Sequence, residues 1–306
     1  GALVLSSNTT GLYNTGSGAS ALFSNTTGDY NIATGALALQ YNTTGSGNAA
    51  IGVSALGTNT TGTRNLAIGY RAYDNADTEN DNIAIGYDAL GGAIVGGEYN
   101  IAIGNYSLDA NTSGDFNVSV GHQNLSANTT GSRNMASGHQ ALVSNTTGGS
   151  NTASGFAALT ANTTASYNTA IGVRALYDAN RTSDADGYNT ALGYHAGNTE
   201  TNDITTGNKN TLLGANTAAS AANGTNQSVI GYGASGQANN SVTLGNADVT
   251  AVYMAQDAGA TVHAATLDIS GDTDIDGTTN LDVVDIDGAV DIDGTISLGN
   301  TLTVGV

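Results

Sequence analysis

At 306 residues with a formal charge of −19 and only six basic side chains, the chain lacks the cations that phosphate contacts require, which excludes nucleic-acid binding. Gly contributes 43 residues, Pro, Cys and Trp none, and only 10% of positions are charged, a composition too poor in bulky apolar side chains for the thick core of an ordinary enzyme. The lack of Cys also excludes disulfides and thiolate metal sites, and no stretch reads as a signal peptide or a membrane span.

The opening GALVLSSNTTG matches the second half of a repeat that is complete further on, so the chain is expected to begin in mid-rung, as a piece of a longer fibre. The complete unit is seen at 48–62, NAAIGVSALGTNTTG. Its glycine recurs from Gly18 through Gly52, Gly86, Gly121 and Gly155 to Gly245, mostly in steps of 17 residues, with one of 18, two of 21 up to Gly214 and a last step of 14. A short period sustained over this length marks a solenoid, in which each rung buries its apolar side chains only against its neighbours.

With the Asn of each rung as position 0, apolar residues stand at +1 (Ile32, Leu66, Ile83) and +3 (Ile51, Ile85, Ile103), with alanine between them at +2 (Ala50, Ala67, Ala84). This alternation predicts a short strand ending at the glycine of position +4, covered on both faces, one by the coil interior and the other by a neighbouring chain. A second short strand is expected at the Ala-Leu pairs (Ala55-Leu56, Ala89-Leu90), with the leucine in the core. NTTG, as at 59–62, then makes the turn, because Asn bonds its own backbone and Gly tolerates unusual torsions. Its Asn residues are formal glycosylation sequons, although recurrence at a turn is better explained by geometry and a stacked Asn ladder. The 21-residue steps carry extra polar residues near 178–187 and 198–207, which are expected to emerge as loops, where binding is common.

Position +5 holds Tyr70, Tyr87, His122, His139, Phe156, Tyr194 and Tyr232. Facing solvent, this column suits stacking on glycans; facing a partner chain, it is interface packing, the favoured reading of the two. His122 and His139 sit one rung apart without a carboxylate or third His, so no metal is expected there. No nucleophile, P-loop or zinc motif occurs, and Glu is confined to Glu79, Glu98 and Glu200, so no enzymatic activity and no catalytic or cofactor-binding residues are expected.

From Gly231 the wording becomes SVIGYGASGQANNSVTLGNADVTAVYM. Together with the AIG repeats this resembles the heads of trimeric autotransporter adhesins and the equivalent segments of bacteriophage tail fibres. The resemblance implies an all-β fold, a left-handed parallel β-roll of about 14 rungs whose three chains pack about one axis, with a host cell-surface glycan or protein as receptor. The expected organisation is a repeat roll over 1–246, a terminal rung and neck over 247–265, and an acidic trimeric β shaft over 266–306.

The shaft alternates, with nine aspartates between Asp268 and Asp293, and its DIDG wording is similar to tail fibres of marine phages, which favours a virion tail fibre over a bacterial surface adhesin. Asp272, Asp274, Asp276 and Gly277 open a calcium loop, but the place of its bidentate Glu is taken by Val283, so an exposed acidic ladder is the default and Ca2+ the alternative. Three such chains carry 3 × −19 = −57, a charge that needs the salt of an extracellular or marine medium to screen it. The expected function is therefore a non-catalytic, extracellular, homotrimeric attachment rod without membrane insertion. A third reading, an ice- or carbohydrate-binding solenoid acting through the NTTG threonines, ranks below both because those threonines are adjacent in a turn.

Overall fold

The structure is a computed structural model that describes residues 1–180 and 186–252, all within a compact unit of Gly1–Val252. The expected shaft at 266–306 and the calcium candidates Asp272, Asp274 and Asp276 lie outside the described residues. Fourteen strands, from β1 (Thr15–Ser17) to β14 (Ser241–Leu244), pair in parallel and in chain order, forming a parallel β-solenoid of about 13 turns.

The register confirms that the repeat is structural. Between β3 (Ala49–Ile51) and β4 (Leu66–Ile68), Ala50 pairs with Ala67. The alignment survives the 18-residue step, where Ala84 of β5 (Ile83–Ile85) pairs with Ala102 of β6 (Ile101–Ile103). It survives the 21-residue step as well, with Ala170 of β10 (Thr169–Ile171) opposite Ala191 of β11 (Thr190–Leu192). The strand register is thus kept across steps of unequal length, although 181–185 of the first 21-residue step lie outside the described residues.

The second expected strand does not form. The Ala-Leu segment is a chain of turns in which Ser54 and Leu56 take φ of 56° and 51°. A left-handed residue costs roughly 1–2 kcal/mol. The ladder offsets this, since the Ser54 amide donates back to Ala36 O at 2.9 Å and the Leu56 amide forward to Ala72 O at 3.0 Å. Alternating torsions let the leucine point inward from a corner, so its burial carries no period-two signature. Each rung therefore has one strand of three or four residues, and turns build the rest.

The core is thin. It consists of the +2 alanines, the +7 alanines and the +8 leucines, with Ala50, Ala55 and Leu56 all at 0% exposure. Polar ladders supply what apolar volume does not. The Asn65 amide donates to Asn48 Oδ1 at 2.9 Å, while Asn48 Nδ2 donates to Gly62 O at 2.8 Å, and the pattern repeats up the coil. A second ladder runs through the turn asparagines, where Asn42 Nδ2 donates to Asn25 Oδ1 and Asn59 Nδ2 to Asn42 Oδ1, both at 2.7 Å. The first NTTG threonine ties one turn to the next, as Thr43 Oγ1 donates to Thr60 O of the following rung at 2.9 Å. The expected Asn ladder is present, and it buries Asn25, Asn42, Asn59, Asn111, Asn128, Asn145 and Asn162, which leaves no room for a glycan on them.

The glycine of position +4 is required on two counts. Gly52 has φ +140°, and a Cβ there would stand 2.2 Å from Gly69 O of the next rung. The turn ladder is interrupted where Ala76 replaces Asn; there the buried Glu79 carboxylate accepts from the amides of Asp77 at 3.0 Å, Thr78 at 3.1 Å and Gly96 at 2.9 Å. Tyr73 takes the leucine place in that rung, accepting from Asn82 Nδ2 at 2.6 Å, and burial holds its phenol well above the usual range.

Candidate functional site: the outward face of the sheet

Strand alternation decides which side chains leave the coil. In β3, β10 and β11 the central alanine is buried and the flanking residues point out. The larger apolar residues are therefore the outward ones, and Ile51, Ile171 and Leu192 are 43%, 40% and 44% exposed. Along +1 and +3 the sheet presents two columns of mostly Ile, Leu, Val, Met and Thr to its surroundings, interrupted at places such as Ser17, Ala49, Ser137 and Ser154. The small side faces the interior because the coil is only wide enough for methyl groups opposite the leucines.

At the C-terminal end of each strand stands the +5 column. Tyr70, Tyr87, His122, His139, Phe156, Tyr194 and Tyr232 are all exposed on this unit, and the structure brings consecutive members together. Ring centroids lie 5.4 Å apart for Tyr70 and Tyr87, 5.1 Å for His122 and His139 and 5.3 Å for His139 and Phe156, each pair stacked. Tyr106 bridges the two runs edge-on, 5.2 Å from Tyr87 and 6.2 Å from His122. Tyr194 packs instead on His195 at 4.2 Å. No group of three metal-ligating side chains occurs among the described residues.

A second aromatic column, which sequence reasoning missed, stands at −1, just before each Asn. Tyr13 and Tyr30, Tyr99 and Phe116, and Tyr167 and Tyr188 form three stacked pairs at 5.0, 5.0 and 5.1 Å. The same column holds Arg64, bound to Asp81 of the next rung at 2.6 Å, together with Arg133 and Lys209. The Arg64 hydrogen bond holds the Asp81 carboxyl below its ordinary range. The signal was present as a residue one place before each Asn. It went unread because the position is mixed in character and its left-handed torsion, 58° at Tyr99, lies outside the strand pattern.

On the turn side the chemistry is sparse. Arg71 binds Asp74 at 2.8 Å and approaches Asp88 at 3.6 Å. With Gly91, Tyr106 and Asp109, Arg71 and Asp88 line a cleft of about 130 Å³, and burial pushes the Asp109 carboxyl up to about 6. The first NTTG threonines are committed to the ladder, leaving only the second ones, such as Thr27, Thr44 and Thr61, exposed as a column. No helix among the described residues is long and apolar enough to cross a membrane. Comparison with protein-family models, curated proteins and solved structures finds no match to this chain.

Proposed function

We propose that this chain is the rod of a homotrimeric attachment fibre, of the kind carried by a phage tail, in which three left-handed coils pack sheet face to sheet face and the shaft at 266–306 continues the assembly. One observation carries the reading. From β3 to β7 and again from β10 to β13 the sheet exposes larger apolar residues while mostly burying small ones, an arrangement that leaves apolar stretches in water unless other chains cover them. Three copies around an axis close those stretches, and the flanking aromatic columns then pack between neighbours or contact host glycans at the rim. The rod's role is mechanical and multivalent: it displays many weak contacts and carries whatever adjoins it away from the particle, without catalysis.

The test is the mass in solution and its dependence on the outward face. Light scattering of the full chain is expected to give three copies, and Ile85→Asp with Ile103→Asp to give monomers that keep their β spectrum, because both side chains leave the coil. A monomeric parent chain would end the proposal. Attachment itself is read by binding of the labelled trimer to bacterial cells, with loss of binding expected for the monomeric variant through lost avidity.

A further inference from the structure

The coil narrows abruptly near its end: a rung of 21 residues from Gly193 to Gly214 is followed by rungs of 17 and 14. The longer rung overhangs the shorter ones, and beneath it the structure has a cleft of about 350 Å³, within the range of small-ligand sites. A second cleft of about 400 Å³ shares Gly233 and Ser235 with the first and continues to Thr243 and Asn246. Together they form one open groove across the last three rungs. Neither the period of the repeat nor the aromatic columns account for it.

The overhanging loop is built rather than loose. Asp203 Oδ1 accepts from the amides of Thr199 and Glu200, at 2.5 and 2.7 Å, which caps the turn. Asn198 Nδ2 donates to Asp178 Oδ2 at 2.7 Å, and burial is the main cause that raises the Asp178 carboxyl. Ile204, fully buried, closes the loop, its amide donating to Gly197 O at 3.0 Å. His195 Nδ1 lies 3.2 Å from Asn198 O. A carbonyl only accepts, so Nδ1 carries the hydrogen, and in the neutral ring Nε2 is an acceptor.

The first cleft is lined by hydroxyls and amides, Thr199, Thr201, Asn202, Asn216 and Ser235, with the imidazole of His195, the one carboxylate of Glu200 and no Lys or Arg. A single carboxylate is too few for a divalent cation, and an anion would meet the Glu200 carboxylate with no Lys or Arg to offset it. Mixed donors and acceptors beside an acceptor carboxylate match vicinal hydroxyl groups, each of which both donates and accepts. We infer that the groove under the 198–204 loop binds a neutral oligosaccharide, with one sugar residue against Glu200 and Asn216 and the next beyond Ser235. The inference stands apart from the fibre reading, since a single coil carries the whole groove.

The test uses the full chain and saturation-transfer NMR with lactose, maltotriose, cellotriose and N-acetylated chitotriose as neutral probes and sialyllactose as the acidic one. At least one neutral probe is expected to bind at millimolar concentration or below, with sialyllactose weaker than lactose. Glu200→Gln, whose side chain leaves the loop's backbone bonds in place, is expected to weaken that binding at least tenfold at an unchanged melting temperature. Ser235→Leu, at the junction of the two clefts, is expected to erase the advantage of a trisaccharide over its disaccharide. Binding by no neutral probe, preference for sialyllactose, or full binding by the folded Glu200→Gln chain would each overturn the assignment. The oligomeric state has no part in any of these outcomes, so failure here and failure of the trimer are separate results.

Discussion

Asp109 carries an energetic signature that reads out as pH dependence. Burial moves its carboxyl from 3.8 to about 6, and its Oδ1 has no hydrogen-bond partner. The folded state therefore favours the protonated form: this stabilising difference is complete below about 3.8 and is lost as pH rises through about 6. The full shift corresponds to about 3 kcal/mol, and the half-exposed position reduces it to about 1. Asp109→Asn is accordingly expected to raise stability by about 1 kcal/mol at pH 8 and to change little at pH 4, measured by urea unfolding at both. The turn asparagines allow a second prediction. Asn128 donates to Asn111 Oδ1 at 3.0 Å and accepts from Asn145 at 2.8 Å, so Asn128→Ala leaves buried partners unmade and is expected to cost about 3 kcal/mol. Asn162 Oδ1, by contrast, ends its ladder without a donor, because Ala179 stands in the next rung beside a narrow void. Ala179→Asn continues the ladder there and is expected to raise the melting temperature.

For the single strand of each rung, three residues suffice because the glycine after it permits close approach of the next coil. At Gly138, φ is +137° and an added Cβ would stand 2.5 Å from Gly155 O. Gly138→Ala combines strain with a backbone clash, and a loss of 3 kcal/mol or more is expected in thermal unfolding. The turn glycine is less strict, since the chain itself places Ala165 where Gly148 and Gly131 stand in earlier rungs. The strand and the NTTG turn were legible in sequence because both rest on chemistry that repeats at a fixed offset: small residues at +2, an Asn whose side chain completes a turn. The Ala-Leu segment was misread as a second strand. Left-handed torsions recur at every second residue there, as at Ser54 and Leu56 with φ 56° and 51°, and apolar patterning does not report torsion sign. The −1 aromatics were missed for a related reason, since they sit at a left-handed corner where no strand alternation applies.

Across the whole molecule the energetics are quasi-one-dimensional: each coil rests on the two beside it, and the ladder hydrogen bonds carry much of what a thin alanine core does not. In the proposed trimer, three chains at −57 would set attraction between apolar faces against charge repulsion. The proposed trimer is therefore expected to dissociate as salt is lowered from about 0.5 M to about 10 mM, which sedimentation velocity would show, with the β spectrum of the coil retained. The sequence alone determined the period, the parallel order and the turn asparagines as ladder residues, because a repeat at constant offset can satisfy its backbone only by stacking on itself; the ladder through the position-0 asparagines emerged only in the structure. The sequence did not determine which side of the strand faces inward. Alanine at +2 and isoleucine at +3 both read as buried, and only the closed coil, too narrow for anything but methyl groups opposite its leucines, decided that the larger side chains turn outward. The groove under the 198–204 loop belongs to the same class of fact: it arises from the unequal girth of successive rungs, which exists only once they are stacked.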